Sequence, residues 1–363
     1  MSNMTTPGAP LRAAIVGLGA GAQRIMLPAV AGTAGVQIVA ACDLDAGHRQ
    51  RAAAAWPLGK QYADPLVMVE SERPDIVAIA TPPLTHFDLA QMALEHGCHV
   101  YCEKPFVATL QQADDLIAGA QSRGLLIDVN SQYYQMPIYR RSQELIAGGS
   151  VGRPFHIQAW QHMHLLPHEE GGWKAALQPR RVLFEFGTHI IDLFCRFFDA
   201  YPEAVTARIA KVRSDVDADV CIDVRLDFPG ERVATIALNR MSYAPLRYFE
   251  MRLDCEKAAL RTSLGGVAQF ELGWNSERRR PRWRFGFSRG GELRLEREGS
   301  SRRLATQGAS AVGDAAGAHF ARFAEAVRQG DPSLASTAHM RRVLAVMLAA
   351  YVSAEDHGQL VCL

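Results

Sequence analysis

Between Leu11 and Val129, five short and almost wholly apolar runs (11–17, 36–42, 75–80, 98–102 and 125–129) alternate with segments of helical length and composition at 20–32, 45–55, 85–96 and 109–122. A strand that is apolar on both faces has to be covered on both faces. A helix after each strand returns the chain so that the next strand can lie parallel to the last. The pattern predicts an α/β domain, a Rossmann-like doubly wound parallel sheet, over residues 11–130. Residues 1–10, polar and carrying Pro7, Gly8 and Pro10, are expected to form a flexible tail before it.

From residue 131 the pattern changes. A helix at about 136–148 stops at Gly148-Gly149. Strand-like segments follow at 154–164, 204–213, 219–228, 231–239, 248–255, 257–263 and 267–274. The connections Pro229-Gly230 and Glu256-Lys257 are short enough for hairpins. Residues 131–363 are therefore expected to form an α+β domain on a large, mostly antiparallel open sheet. Helices at 314–329 and 336–356, parted by Gly330-Asp331-Pro332, close the chain. Residues 276–303 are the least apolar part and read as an exposed hairpin or edge, with ERRRPRWR (277–284) at its tip.

A chain of 363 residues has room for two or three domains at roughly 100–200 residues each. Its 39 lysines and arginines nearly cancel 38 aspartates and glutamates, so it has no electrostatic footprint for nucleic acid or an anionic membrane. No run reaches the ~18 apolar residues of a membrane helix. MSNMTTPGAP has neither the basic nor the apolar region of a signal peptide. Seven cysteines, an odd number scattered through apolar segments, read as free thiols in a reducing compartment, and the expected location is cytoplasmic.

Three segments carry candidate chemistry. The turn GLGAGA, Gly17 to Ala22, joins the first strand to the first helix. Gly17 permits a tight turn, Gly19 lets backbone approach a pyrophosphate, and Ala22 stands where a small residue packs helix on strand. Asp43 ends the next strand, where an acid accepts hydrogen bonds from ribose hydroxyls and repels a 2′-phosphate. The expected cofactor is NAD, with NADP left open by Arg49 and Arg51 nearby. The second segment is CEKPF, 102–106. Lys104 follows a strand end, where ligands of open parallel sheets bind. A partly desolvated lysine beside a nicotinamide can donate or relay a proton, and a solvated loop is the plain alternative.

The third segment is LFEFGTHIIDLFCRFF, 183–198, a helix apolar nearly all round and hence buried. At about 100° per residue, Glu185, His189, Asp192 and Arg196 fall within an arc of roughly 60°. The stripe is either a self-satisfying ion-pair ladder or a site in which His189 acts as general base against a substrate hydroxyl. His162 and His164 share a strand face, and His168, Glu169 and Glu170 follow without tight metal spacing, so no metal is expected. Tyr133, Tyr134, Trp160, His162 and His164 either border a substrate cleft or pack in a core.

Taken together, the sequence from Leu11 onward resembles the glucose–fructose oxidoreductase/inositol dehydrogenase (Gfo/Idh/MocA) family. The likeness lies in the glycine turn, the aspartate after the second strand, TPPLTHFDLAQMALEHGCHVYCEKPF (81–106), GGSVG (148–152), the Leu-x-(Asp)-x-Gly-x-His-x-x-Asp helix (183–192) and the terminal helix ending near Ser353, Ala354 and Gly358. The resemblance implies a Rossmann domain followed by a sheet domain whose open face makes a homodimer or homotetramer. It also implies a carbohydrate-like substrate. By position, Lys104 and His189 match the family's catalytic lysine and histidine. Glu185 stands where most members have aspartate, and Thr81, Pro82, His86 and Glu103 match positions lining the cofactor cleft.

Two departures stand out. Glu185 lengthens the carboxylate arm by one methylene, and Pro179-Arg180-Arg181 replaces a small, glycine-rich run before the helix. Cations at a helix N-terminus oppose its dipole. Arg180 and Arg181 are expected either to reach water or Glu169 and Glu170, or to bind an anionic substrate group; Asp192 is a further candidate substrate contact. The activity expected is that of an NAD(P)-dependent dehydrogenase or reductase acting on CH–OH groups of a sugar, cyclitol or sugar acid. Two alternatives remain open: glycoside cleavage by transient oxidation, and a silent NAD-binding sensor.

Overall fold

A computed structural model describes residues 9–164, 172–177, 180–210, 212, 219–243, 248–265, 267–275, 280–288 and 290–363. The chain divides into two compact units that are interleaved in sequence. One comprises Met1–Gln135 as far as it is described, with Phe184–Asp192 and Val312–Leu348. The other comprises Met136–Leu183, Leu193–Ala311 and Ala349–Leu363.

The first unit holds six strands, β1 (Leu11–Val16), β2 (Val36–Cys42), β3 (Lys60–Tyr62), β4 (Ile76–Ile79), β5 (His99–Glu103) and β6 (Ile127–Asn130). All pair in parallel, in the order β3-β2-β1-β4-β5-β6. The order reverses at β1/β4, and in such sheets ligands bind outside the strands' carboxyl ends at that reversal. The sequence reading omitted β3 and the helix Pro65–Glu72 after it. With two exposed residues and one half-buried, Lys-Gln-Tyr, β3 has no apolar run to reveal it. The helix does carry signals: Asp64 caps it by accepting from Leu66 N, and proline occupies its first position.

The interleaving has a packing cause. Phe320, Phe323 and Ala324 of the helix Ala311–Gln329 are fully buried in one cluster with Ile15, Leu27, Val30 and Ile38. Burial of each phenylalanine contributes about 1.5–3 kcal/mol, which ties this late helix to the early sheet.

The second unit is built on a nine-stranded sheet. In chain order its strands are β7 (Pro154–His162), β8 (Ala204–Ala210), β9 (Cys221–Phe228), β10 (Arg232–Asn239), β11 (Phe249–Cys255) and β12 (Ala259–Leu264). A hairpin of β13 (Val267–Asn275) and β14 (Arg280–Ser288) follows, then β15 (Gly291–Arg297), β16 (Ser300–Gln307) and β17 (Val361–Cys362). The sheet order is β16-β15-β12-β11-β7-β10-β9-β8-β17, and only the β7/β10 pair is parallel. Two placements differ from expectation. The strand read at 267–274 is β13, which pairs with β14 apart from the large sheet. Part of the segment expected to be an exposed hairpin or edge forms β15 and β16 within that sheet, with β16 at its edge. One face is core: Ile157 and Ala159 are buried, whereas Gln158 and Trp160 are half-exposed. Among the described residues no helix is long and apolar enough to cross a membrane.

Candidate active site

At the glycine turn, Gly17 has φ +92°, and a Cβ there would lie 2.6 Å from the Ala80 carbonyl oxygen and 2.9 Å from Thr81 Cγ2. Only glycine allows this approach of the β1 and β4 ends. Above Gly19 and Gly21 the space is open: the nearest atom to a Cβ on Gly19 is 4.0 Å away, and on Gly21 there is none within 4 Å. The helix that begins there has a π turn at Ala22–Met26, just before Pro28, which has no N–H to close a regular turn. An open helix N-terminus flanked by side-chain-free backbone fits the pyrophosphate of a dinucleotide.

Asp43 lies at the end of β2 and is heavily engaged. Its Oδ2 accepts from Leu18 N (2.7 Å) and lies 3.2 Å from His48 Nδ1, and its Oδ1 accepts from Asp45 N (2.8 Å). The carboxylate thus braces the glycine turn and keeps lone pairs on Oδ1 for a ribose hydroxyl. Arg49 is turned to backbone, donating to the Asp43 and Leu44 carbonyls, while Arg24, His48 and Arg51 line an open pocket with Ala20 and Gln23.

Beyond β4, Thr85 Oγ lies 2.8 Å from both the Pro82 carbonyl, to which it donates, and Thr81 Oγ, from which it can accept. His86 was expected to line a cofactor cleft, but it is fully buried. Its Nδ1 lies 2.9 Å from the Pro105 carbonyl and its Nε2 3.0 Å from that of Thr81. The ring therefore joins the loops after β4 and β5, and burial pushes its pKa below the usual histidine value.

Glu103 and Lys104 follow directly. Glu103 Oε1 accepts from Asn130 Nδ2 at 2.7 Å; burial raises its carboxyl above the usual range, opposed by that hydrogen bond and by the charge of Lys104. Lys104 Nζ donates to the backbone carbonyl of Glu185 at 2.9 Å and lies 5.9 Å from the centre of the Phe186 ring. Leu183–Gly187 forms a second π turn, continued by the helix Thr188–Phe198. Single π turns recur at functional sites, and this one alters the regular stripe that 100° spacing gives for Glu185.

His189 is nearly fully buried and lies face to face with Tyr133, ring centres 3.9 Å apart and planes 4° from parallel. Its pKa falls well below the usual value, chiefly through burial and then through the charge of Lys104, with Asp192 opposing. The imidazole is hence neutral at physiological pH. Its buried Nδ1 has no hydrogen-bond partner among the described residues. A neutral imidazole beside an ammonium can take a proton from a hydroxyl while the ammonium stabilises the oxyanion left behind.

Asp192 was read as a candidate substrate contact. It is completely buried, with Oδ2 accepting from Ser131 Oγ (2.8 Å) and Oδ1 2.6 Å from His339 Nε2. It acts as an anchor for the helix. Neither Ser131 nor His339 stood out in the sequence, since each lies far along the chain from its partner.

The remaining candidates belong to the second unit. Arg180 forms a bidentate pair with Glu355 (2.5–2.9 Å), so its fork is already filled by a residue other than the expected Glu169 or Glu170. Arg181 is fully buried, and its side chain does not reach water as expected. The dipole conflict noted above is resolved by Asp219, which sequence reasoning missed. Its carboxylate accepts from Arg181 N (2.8 Å), Val182 N (2.5 Å), Leu183 N (3.0 Å) and Tyr351 Oη (2.7 Å), capping the helix start from a distant loop. His162 ends β7, its N–H donating to Tyr248 O, and His164 stacks on Tyr243. His168, Glu169, Glu170 and 277–279 of the arginine run lie outside the described residues.

Comparison with known proteins agrees with this fold. Residues 11–131 match the oxidoreductase family with an NAD-binding Rossmann fold, and residues 139–261 match the GFO/IDH/MocA C-terminal domain. The chain is 28% identical to D-apiose dehydrogenase of Paraburkholderia graminis over 57% of its own length and 52% of that protein's. It is 28% identical to D-glucoside 3-dehydrogenase of Escherichia coli over 50% of its length and 52% of that protein's. The matches thus span about half the length of these relatives. An oxidoreductase from Agrobacterium radiobacter, solved in complex with NAD+, L-tartaric acid and magnesium, has the same fold, with a TM-score of 0.80 over 98% of both chains at 17% identity. The two matched domains, in this order around a Rossmann sheet, place the chain in the Gfo/Idh/MocA oxidoreductase family.

Proposed function

We propose that the protein is an NAD(P)-dependent oxidoreductase that interconverts a secondary alcohol and a ketone on a sugar, cyclitol or sugar acid. The observation that carries this reading is the pairing, within the first unit, of the Lys104 ammonium beyond β5 with a buried, neutral His189 whose Nδ1 lacks a partner. The names of the two dehydrogenase relatives support a carbohydrate-like substrate.

In the oxidising direction His189 removes the hydroxyl proton and Lys104 stabilises the developing alkoxide electrostatically. Glu185 holds Lys104 through its backbone carbonyl. When bound, the nicotinamide supplies hydride exchange; Gly17, Gly19, Ala22 and Asp43 would hold its dinucleotide, with Thr81 and Pro82 beside them. Asp43 favours NAD, while the pocket of Arg24, His48 and Arg51 keeps NADP within reach. The half-exposed face of the nine-stranded sheet, carrying Gln158, Trp160, Thr235 and Arg252, is the surface for a homodimer or homotetramer.

The test is a panel of sugars, cyclitols and sugar acids with NAD and NADP, followed by nicotinamide absorbance. Sustained reduced cofactor with at least one polyol is the expected result. Glycoside cleavage without it, or cofactor binding with no turnover on the panel, would overturn the reading.

A further inference from the structure

Behind Lys104 lies a series of polar side chains that the proposed reaction does not use. Tyr101, Asn130, Asp128 and His319 are all 0% exposed. Asn130 Nδ2 donates to Glu103 Oε1 (2.7 Å), Tyr101 Oη donates to Asn130 Oδ1 (3.0 Å), and His319 Nδ1 lies 2.9 Å from Tyr101 Oη. His319 Nε2 lies 4.0 Å from Asp128 Oδ2, and Asp128 Oδ1 accepts from Ser336 N, from the Ser336 hydroxyl and from Val129 N.

Proton counting gives the series a direction. With the Asn130 carbonyl toward Tyr101, the single hydroxyl proton of the tyrosine goes to Asn130 and His319 Nδ1 is the donor to Tyr101. The asparagine then has its oxygen toward Tyr101 and its amide N–H toward Glu103. The reverse order would need a proton on Glu103, a turned-over amide and the other histidine tautomer, all at once. We propose that His319, Tyr101 and Asn130 are positioning residues that act in series to present one fixed donor to the Glu103 carboxylate and hold it as the anion next to Lys104. The proposal rests on the reading of Lys104 as the working cation. The titratable and charged groups facing the series are Lys104, Asp128, Tyr134 and Arg322.

The test follows the carboxyl carbon of Glu103 by 13C NMR through a pH titration of the full chain, the signal being assigned with Glu103→Gln. Tyr101→Phe removes the proton that orients Asn130, so the Glu103 midpoint should rise by about one pH unit, a tenfold gain in proton affinity. His319→Leu should do the same, whereas His319→Asn, which keeps a donor near the Nδ1 position, should restore the wild-type midpoint. This pair keeps the test open if Tyr101→Phe does not fold. An unchanged midpoint in Tyr101→Phe and His319→Leu, or a shift of equal size in His319→Asn, would overturn the proposal. A shifted midpoint that His319→Asn restores supports it even if no polyol is turned over, in which case the dehydrogenase reading alone fails.

Discussion

Lys104 Nζ donates to the backbone carbonyl of Glu185 at 2.9 Å, so the lysine is held by a group that no substitution at 185 removes. Glu185→Asp and Glu185→Gln should therefore leave Lys104 in place and lower turnover by about tenfold or less. Lys104→Met removes the charge proposed to stabilise the alkoxide and should cost about a hundredfold or more. Steady-state kinetics on the three variants checks this; a loss at Glu185→Asp as large as that at Lys104→Met would show that the carboxylate, not the carbonyl, sets the site.

The lowered pKa of His189 gives a second expectation. Its folded value lies well below the ordinary 6.5, through burial first and the Lys104 charge second. A depressed histidine binds its proton more weakly folded than unfolded, so stability is retained above 6.5 and falls as pH drops below it. Wild-type thermal unfolding should show that loss, and His189→Asn should reduce it, the remainder coming from His86 and His99, whose pKa values burial also lowers. Removing the neighbouring charge raises the folded pKa toward 6.5, so in Lys104→Met the acid decline should be smaller and end at higher pH. A pH-independent midpoint in the wild type between pH 7 and the onset of general acid unfolding would refute this.

Much of the first unit was legible in the sequence because its strands are continuously apolar and its turns are marked by glycine and proline. Lys104, His189 and Asp43 stand out as candidates through motif position together with the family resemblance. What stayed hidden depends on contacts between distant parts of the chain. The Asp192 anchor needs Ser131 and His339, the helix cap needs Asp219, and Phe320 and Phe323 join the early core from a late helix. The two π turns also escaped, since a fixed angle per residue assumes the regularity they break.

The two ends of the glycine turn should separate stability from cofactor binding. Gly17→Ala places a Cβ 2.6 Å from a backbone oxygen at φ +92°, and nothing flexible can yield. It should cost about 2–4 kcal/mol of stability. Gly19→Ala meets no atom closer than 4.0 Å, so the fold should keep its unfolding midpoint while dinucleotide affinity falls at least about tenfold. Denaturation and cofactor titration on both variants check the pair, and equal behaviour would deny the two glycines distinct roles.

Arg180 and Arg181 should behave as differently as their burial. Arg180 is 46% exposed in its pair with Glu355, so Arg180→Ala should cost no more than about 1 kcal/mol and leave KM for an acidic sugar unchanged. Arg181 is fully buried, and Arg181→Ala should cost about 3 kcal/mol or more through lost packing and stranded partners. A selective KM rise for acidic substrates in Arg180→Ala would restore the anion-binding role that the Glu355 pair argues against.

Asp219 supplies one carboxylate to three backbone N–H groups and the Tyr351 hydroxyl, all at the start of the helix that leads to Glu185 and His189. Asp219→Ala leaves these donors buried without an acceptor, at a cost of about 2–4 kcal/mol in chemical denaturation. Asp219→Asn keeps one acceptor oxygen but turns an amide N–H toward the helix N–H groups, so it should recover less than half of that loss. Tyr351→Phe removes a single donor and should cost about 1 kcal/mol. An Asp219→Ala protein as stable as wild type would mean that water satisfies the helix start.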